Sequence, residues 1–540
     1  MKYVYILEND EKFRDEMIEA IHKSDPLLVV HYFSSLDEFS KWIKLVIQVG
    51  PQALPRGGTA APGQLNTAED THQLSLIIAK NELLGVKHMA LLKKTRELFI
   101  QKGLCPAEDP TSLVLTTFEN PDFDIKLAED RIINNVIFKP FDKLILQQHL
   151  NFAIGGRHPP SQYAVHNMKT AATIEMLKEV EIEAFSDVGF ISISNRPITV
   201  GSVAKYYSSA FISLRHKSML ALCLRSDPHP DRKDYYRCSF TYLGADSFQI
   251  TNIRKQVRQK DAQTFQYEWI SKFPISPVEI VLISSDMDTA QFFKENIEKN
   301  YHNAKVRLFA KLQDFMHAID PEVAKKDKRE FDSKNRITAP INAIFGDQYL
   351  FEDNFKDRWE AILETVKMKT PPPRNNPSQK TELFILTKKN HSDPEKKALS
   401  EIVKDIFLMP MDTLYIIKKL ALFLPQLSPL EKIQLPTIQY AEIAKAATLI
   451  EINEFSEAGL VMKYYRPITP GAFREFILWL PHELELPEFL ATCNYHEESK
   501  NEKGVFYNQF VFFGTSDHYL KHIRRWILQN HLLSKEAESA

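Results

Sequence analysis

The residues best placed to do chemistry stand at the ends of short apolar runs. In the first half Glu8 and Asp10 follow YVYIL, Lys80 follows LSLIIA, Thr116 closes LVLT and Lys139 follows VIF. In the second half Asp286 comes just after VEIVLI and two serines, Asp347 closes AIFGD, and Thr387 closes LFILT. Where such runs are parallel strands, polar groups at their carboxyl ends line the crevice in which open α/β sheets bind and react. A second candidate is a turn, Ser186 to Gly189 in one half and Ser456 to Gly459 in the other, with Arg196 and Arg466 soon after.

Other chemistry is not indicated. The sequence has no GxGxxG, P-loop, HExxH, EF-hand or GxSxG pattern, and its 17 histidines fall at no metal-ligand spacing. DPHPD at 227–231 contains ligand types, but its prolines restrict the backbone and it reads as a polar hairpin loop. HEESKNEK at 496–503 occupies the equivalent loop and reads as solvated surface. Cys105, Cys223, Cys238 and Cys493 form no CxxC pair, so neither a zinc site nor a disulfide framework is expected. The expectation is no catalytic residue, no metal and no cofactor.

The elements that must position these groups come from a duplication. VEIEAFSDVGF at 180–190 recurs as IEINEFSEAGL at 450–460, and both are followed by RPIT, one residue and Gly. Ser186 and Ser456 are 270 residues apart, as are Gly201 and Gly471. Phe240, Gly244, Ile253 and Arg254 keep the same spacing from Phe510, Gly514, Ile523 and Arg524. More loosely, LVLT at 113–116 pairs with LFILT at 383–387, and FKPFD at 138–142 with LMPMD at 408–412. The duplication therefore covers nearly all of the chain, with small insertions and deletions that cancel.

At 540 residues the chain exceeds a single core, and roughly 100 to 200 residues per domain suggests three to five domains. Four fit: 1–155, 163–270, 277–425 and 437–535. Proline-rich and polar stretches at 155–162, 272–277 and 424–436 read as linkers, and 50–73, 320–340 and 370–379 as exposed loops. A net charge of −2, from 68 basic and 70 acidic residues, offers no general attraction to nucleic acid or to an anionic membrane. Acidic residues arrive too early for a secretory signal. The most apolar segment, 414–427, is broken by Lys418, Lys419 and Pro425 and is too short to span a bilayer. Neither nucleic acid nor membrane insertion is expected, and the expected location is cytoplasmic.

Within 1–153, apolar strands at 3–7, 27–30, 74–79, 113–116 and 136–138 alternate with helical patterns. In the first helix Phe13, Met17, Ala20 and Ile21 share a face. Alternation of this kind favours βα units with a parallel sheet. Residues 163–270 and 437–535 instead hold short strand-like stretches with turn signals at Gly189, Gly201 and Gly244 and their copies, followed by a helix. That helix is clearest where Tyr519, Leu520, Ile523, Trp526 and Ile527 share a face. The fold class expected is α/β plus β-barrel: two (βα)5 parallel-sheet domains, each followed by a small antiparallel barrel with a C-terminal helix.

ILENDE, LVLT and FKPFD resemble the receiver domain of bacterial two-component response regulators. The resemblance implies an acidic pair that holds Mg²⁺, a third-strand Asp that takes a phosphoryl group, and a Thr and a Lys that contact it. In the first half the matching positions are Glu8 and Asn9 with Asp10 adjacent, Thr116 and Lys139, but Lys80 stands where the Asp belongs. The second half supplies Asp347 and Thr387, yet Ser284 and Ser285 replace the acidic pair, leaving Asp286 nearby, and Met409 replaces the Lys. Neither half keeps the full set. Lys80 is expected to pair with Glu8 or Asp10, in the metal's electrostatic place, or else to be a solvated lysine, and Asp347 to be a strand-end or loop carboxylate.

The SxxG turns resemble the PilZ domain, a bacterial module that often binds cyclic di-GMP. There an upstream RxxxR segment grips the ligand, and a [D/N]xSxxG turn contacts guanine. Here Ala184 and Glu454 occupy the [D/N] position, and no arginine lies between Arg157 and Arg196 or between Arg374 and Arg466. Lys169 and Lys445 are the nearest substitutes. The plainer expectation for Ser186–Gly189 and Ser456–Gly459 is a tight turn, its serine bonding backbone and its glycine taking positive φ. Arg196 and Arg466 read equally as strand-end caps, an interaction face or solvated residues. Cys223, Cys493, Phe240 and Phe510 read as core.

The combined expectation is a non-enzymatic bacterial intracellular signalling scaffold or adaptor of pseudo-receiver and PilZ-like modules, acting on other signalling proteins through protein–protein contacts. Two alternatives stand beside it. One is a cyclic di-GMP effector using an altered PilZ pocket, and the other is a phosphorylation-responsive regulator working through Asp347.

Overall fold

Apolar runs rich in Val, Ile, Leu and aromatic residues become strands here, and their burial on one or both faces separates two kinds of sheet. The computed structural model describes residues 2–49, 73–105, 112–118, 133–155, 166–167, 173–211, 218–259, 263–266, 277–320, 322–323, 336–351, 355–372, 380–410, 412–427, 434–478, 488–516 and 519–529. Much of the expected linker and loop sequence lies outside these residues.

The first half runs β1 (Lys2–Leu7), β2 (Val29–Phe33), β3 (Gln73–Lys80), β4 (Ser112–Phe118) and β5 (Asn135–Lys139), then β6 (His166–Asn167), β7 (Thr173–Phe185), β8 (Gly189–Ser194), β9 (Val203–Tyr207), β10 (Ser218–Pro228), β11 (Tyr236–Tyr242) and β12 (Gln263–Gln266). The second half runs β13 (Val278–Ile283), β14 (Ala304–Phe309), β15 (Ile341–Asp347), β16 (Glu382–Thr387) and β17 (Asp405–Leu408), then β18 (Gln434–Phe455), β19 (Gly459–Tyr464), β20 (Phe473–Leu478), β21 (Phe489–Glu498) and β22 (Phe506–Phe513).

Two sheets are parallel and five-stranded, in the orders β2-β1-β3-β4-β5 and β14-β13-β15-β16-β17. This is the doubly wound order in which the crevice opens beyond the carboxyl ends of the first and third strands. Helices such as Glu11–Ser24 cover the faces, burying Phe13, Met17, Ala20 and Ile21 as the spacing predicts. The second strand departs from expectation: it begins at Val29 and reaches Phe33. Leu27 lies outside it, 82% exposed, beside the backbone bond from Leu28 to Asp25. In the stretch 424–436 Leu424 and Leu427 are buried and β18 starts at Gln434, so a linker there is shorter than its prolines suggest.

The remaining strands are antiparallel, and they exchange between the halves. The chain divides into two compact units, one of residues 1–178 with 448–540 and the other of 179–447. In the first unit the antiparallel order is β18-β19-β22-β21-β20-β7, with Met176 of β7 opposite Phe476 of β20. Ile174 and Met176, from the first half, lie in one core with Phe455, Phe476, Phe510 and Trp526 from the second. The second unit has the order β7-β8-β11-β10-β9-β18, with Ala446 of β18 opposite Tyr206 of β9. These two pairings are again 270 residues apart. Each antiparallel sheet is thus completed by a strand from the other half.

Each antiparallel sheet is followed by the expected helix, Ser247–Gln259 in one half and 519–529 in the other. Tyr519, Leu520, Ile523, Trp526 and Ile527 are all buried. Among the described residues no helix is long and apolar enough to cross a membrane.

Candidate functional site

In the first unit the carboxyl end of the parallel sheet is closed by ion pairs. Glu8 follows β1 and is buried, its Oε2 accepting a short bond from the Lys139 ammonium at the end of β5. Its Oε1 accepts from the Asp10 backbone N–H at 3.0 Å and lies 3.6 Å from Lys80 Nζ. Lys80 ends β3 and donates to Asn9 Oδ1 at 2.8 Å. Asp10 caps the helix that begins at Glu11, accepting from the N–H groups of Lys12 and Phe13. The Lys139 ammonium also sits 4.9 Å from the Phe13 ring centre. One carboxylate thus faces two ammonium groups, and its charge is offset by the chain's own lysines. Removing either partner from a buried pair of this kind costs about 3–5 kcal/mol, so the arrangement holds itself together.

Strand register corrects one assignment. Lys80 lies opposite Thr116 and Asp347 opposite Leu386, so the residue matching Thr387 is Thr117. Thr116 is fully buried and its hydroxyl finds no partner. Thr117 instead donates to Glu82 at 2.9 Å, as Thr387 donates to Gln348 at 2.6 Å. The shift was hidden because Leu7 corresponds to Ile283 and Ala79 to Gly346, offsets of 276 and 267 that flank the true 270.

The second unit carries a different set. Asp347 Oδ2 accepts from the Ser285 N–H at 2.8 Å and its hydroxyl at 3.0 Å. Asp286 caps the helix Met287–Asn300 through Thr289 N–H and accepts from Lys388 at 2.8 Å. That lysine bond, with the two from Thr289, holds the Asp286 carboxyl at about 2. Met409, at the place of Lys139, packs against the apolar core. No group of three or more metal-ligating side chains forms among the described residues. DPHPD lies at the β10–β11 hairpin, and His229 Nδ1 accepts there from the N–H groups of Asp231 and Arg232.

The SxxG turns are internal in both units. Ser186 Oγ donates to its own turn's Gly189 carbonyl at 3.2 Å, and Ser456 to that of Gly459 at 3.1 Å. The glycines serve close approach, and the positive φ expected of them is absent. A Cβ on Gly189 would stand 2.0 Å from the Phe240 carbonyl oxygen, and one on Gly459 2.1 Å from that of Phe510. Positive φ occurs instead at Gly244 and Gly514, both +58°.

The residue after each serine is linked through an arginine to the parallel-sheet domain of its own unit. Asp187 accepts from Arg254 at 2.9 Å, and Arg254 also reaches Asp412 at 3.1 Å. In the other unit Glu457 accepts from Arg524 at 2.7 Å, and Arg524 reaches Asp142 at 2.9 Å. Asp412 and Asp142 cap the last helix of each parallel-sheet domain. Arg254, Arg524, Asp142 and Asp412 could be found as matched residues of the repeat, but their meeting is a tertiary fact. Arg196 and Arg466 remain exposed near strand ends. Lys445 lies in β18 opposite Tyr207, while Lys169 lies outside the described residues.

All four cysteines are free and buried. Burial pushes the Cys223 thiol up to about 11 and that of Cys493 up to about 12, which suits core residues rather than nucleophiles.

No family model and no curated relative matches this chain. Solved structures do match. A response regulator from Thermotoga maritima is 14% identical, with a TM-score of 0.17, over 27% of this chain and 94% of its own. A response regulator receiver protein from Burkholderia phymatum is 7% identical, with a TM-score of 0.17, over 27% of this chain and 92% of its own. A two-component system response regulator/GGDEF domain protein is 8% identical, with a TM-score of 0.17, over 78% of this chain and 97% of its own. The chain is weakly similar to receiver-type proteins, and the order of its two parallel sheets is the doubly wound one.

Proposed function

We propose that the chain is a non-enzymatic signalling adaptor, built from two receiver-like domains that have given up phosphoryl transfer and two PilZ-like domains that have given up nucleotide binding. It acts through its surfaces on other signalling proteins. The observation that carries this reading is the fate of the functional groups, which are spent on internal contacts. Glu8 is bound to Lys139 and Lys80, and the residues after both SxxG serines are bound to arginines that also hold the neighbouring parallel-sheet domain. Receiver-type phosphoryl transfer needs a third-strand Asp to attack and an acidic pair to hold Mg²⁺ beside it; the first half has Lys80 at the end of that strand, and the second has Ser284 and Ser285 in place of the pair. A cyclic dinucleotide needs an accessible turn and guanidinium forks, while Ser186 and Ser456 are buried.

Acetyl phosphate with Mg²⁺ followed by intact mass tests the receiver-like half of this reading. The expected result is an unchanged mass. A gain of one phosphoryl group that disappears in Asp347→Asn would replace the adaptor with a phosphorylation-responsive regulator.

A further inference from the structure

The contact between parallel and antiparallel sheets occurs once in each unit, at positions 270 residues apart, yet the two contacts are made of different groups. In the first unit Asn135 Nδ2 donates to the Phe512 carbonyl at 3.0 Å and lies 2.9 Å from His149 Nδ1. Asn135 Oδ1 accepts from the Gly514 N–H at 3.4 Å. Val511, with Ala458, packs on Phe152. In the second unit Asp405 replaces Asn135 and Lys419 replaces His149, 2.7 Å apart. Asp405 Oδ1 accepts from the Gly244 N–H at 3.1 Å, and Lys419 donates to the Tyr242 carbonyl. Lys419 also donates to the Thr241 hydroxyl at 2.8 Å, where the first unit has Val511. Next to it Lys418 bonds Asp187 at 3.1 Å, where the first unit has Gln148 and Glu457.

The backbone donors and acceptors are the same in both contacts, while the side chains change together on both sides. We infer that these positions form a pairing code, in which Lys419 bonded to Thr241 in one unit, and His149 and Val511 at the matching positions of the other, decide which parallel sheet docks on which antiparallel sheet. Each parallel-sheet domain docks on strands supplied mostly by the opposite half of the chain, so a chain with two similar halves must choose between two arrangements. An ammonium placed against Val511 loses a hydroxyl acceptor in a buried site, where water cannot replace it. A neutral imidazole placed against Thr241 leaves the carboxylate position without a cation if Asp405 accompanies it.

The test is made in the full chain. Asn135→Asp with His149→Lys writes the second unit's groups into the first and is expected to lower the thermal midpoint by about 4 °C or more. Adding Val511→Thr, on the other side of the contact, is expected to recover at least half of that shift and to slow amide exchange at Gly514. A triple variant no more stable than the double would overturn the code. Should the double variant not fold, the reverse change decides. Asp405→Asn with Lys419→His is expected to lose less than either single substitution, and losses equal to the sum of the singles would overturn the code.

Discussion

At the scale of single residues Glu8 carries the most, since its buried carboxylate is the counter-charge of Lys139 and also faces Lys80. Glu8→Gln leaves the Lys139 ammonium buried without its counter-charge, and a loss of about 3–5 kcal/mol is expected in chemical denaturation. Lys80→Ala keeps the Glu8–Lys139 pair and should cost about 1 kcal/mol, since Lys80 is the more exposed partner. Equal losses for the two would refute this ranking. Lys80 as a partner of Glu8 was legible in the sequence, because a lysine in place of a carboxylate inverts the local charge. Thr117 was not, because two length changes of opposite sign surround it and align LVLT with the wrong neighbour. Gly189 was legible as a turn residue but for the wrong reason, since a close carbonyl leaves no trace in local sequence.

Turns and helices carry the next set of consequences. Gly189→Ala drives a methyl group into the Phe240 carbonyl, and about 1–3 kcal/mol of destabilisation is expected from the overpacking. Gly459→Ala should match it, and a neutral effect at both positions would show that the turn can yield. His149, in the helix Lys143–Gly155, is held at about 4 by burial, against an ordinary value near 6.5. The unfolded chain therefore binds a proton between these values that the folded chain refuses. Stability from this group is whole above pH 6.5 and is lost as pH falls toward 4, by up to about 3 kcal/mol. His149→Gln should flatten the denaturation midpoint over that window relative to the parent, and an unchanged slope would contradict the assignment. The helices themselves were legible, since their apolar faces recur at helical spacing. Strand partners were not, because 163–270 and 437–535 read only as short strand-like stretches and nothing local says that β7 and β18 each serve two sheets.

For the whole molecule the duplication is more than two beads in a row. Ile174 to Leu177 of the first half pair with β20 of the second, and Lys445 to Ala447 of the second pair with β9 of the first. A protease site placed between residues 270 and 277 should therefore yield two fragments that elute together in gel filtration until denaturant is added. Fragments that separate under native conditions would contradict the strand exchange. Cyclic di-GMP tests the central claim most directly, because it asks whether the internal turns can still serve a ligand. Isothermal titration of the full chain with cyclic di-GMP and no other nucleotide is expected to give only heats of dilution. Saturable micromolar binding, weakened by Ser186→Ala or Ser456→Ala, would contradict the account.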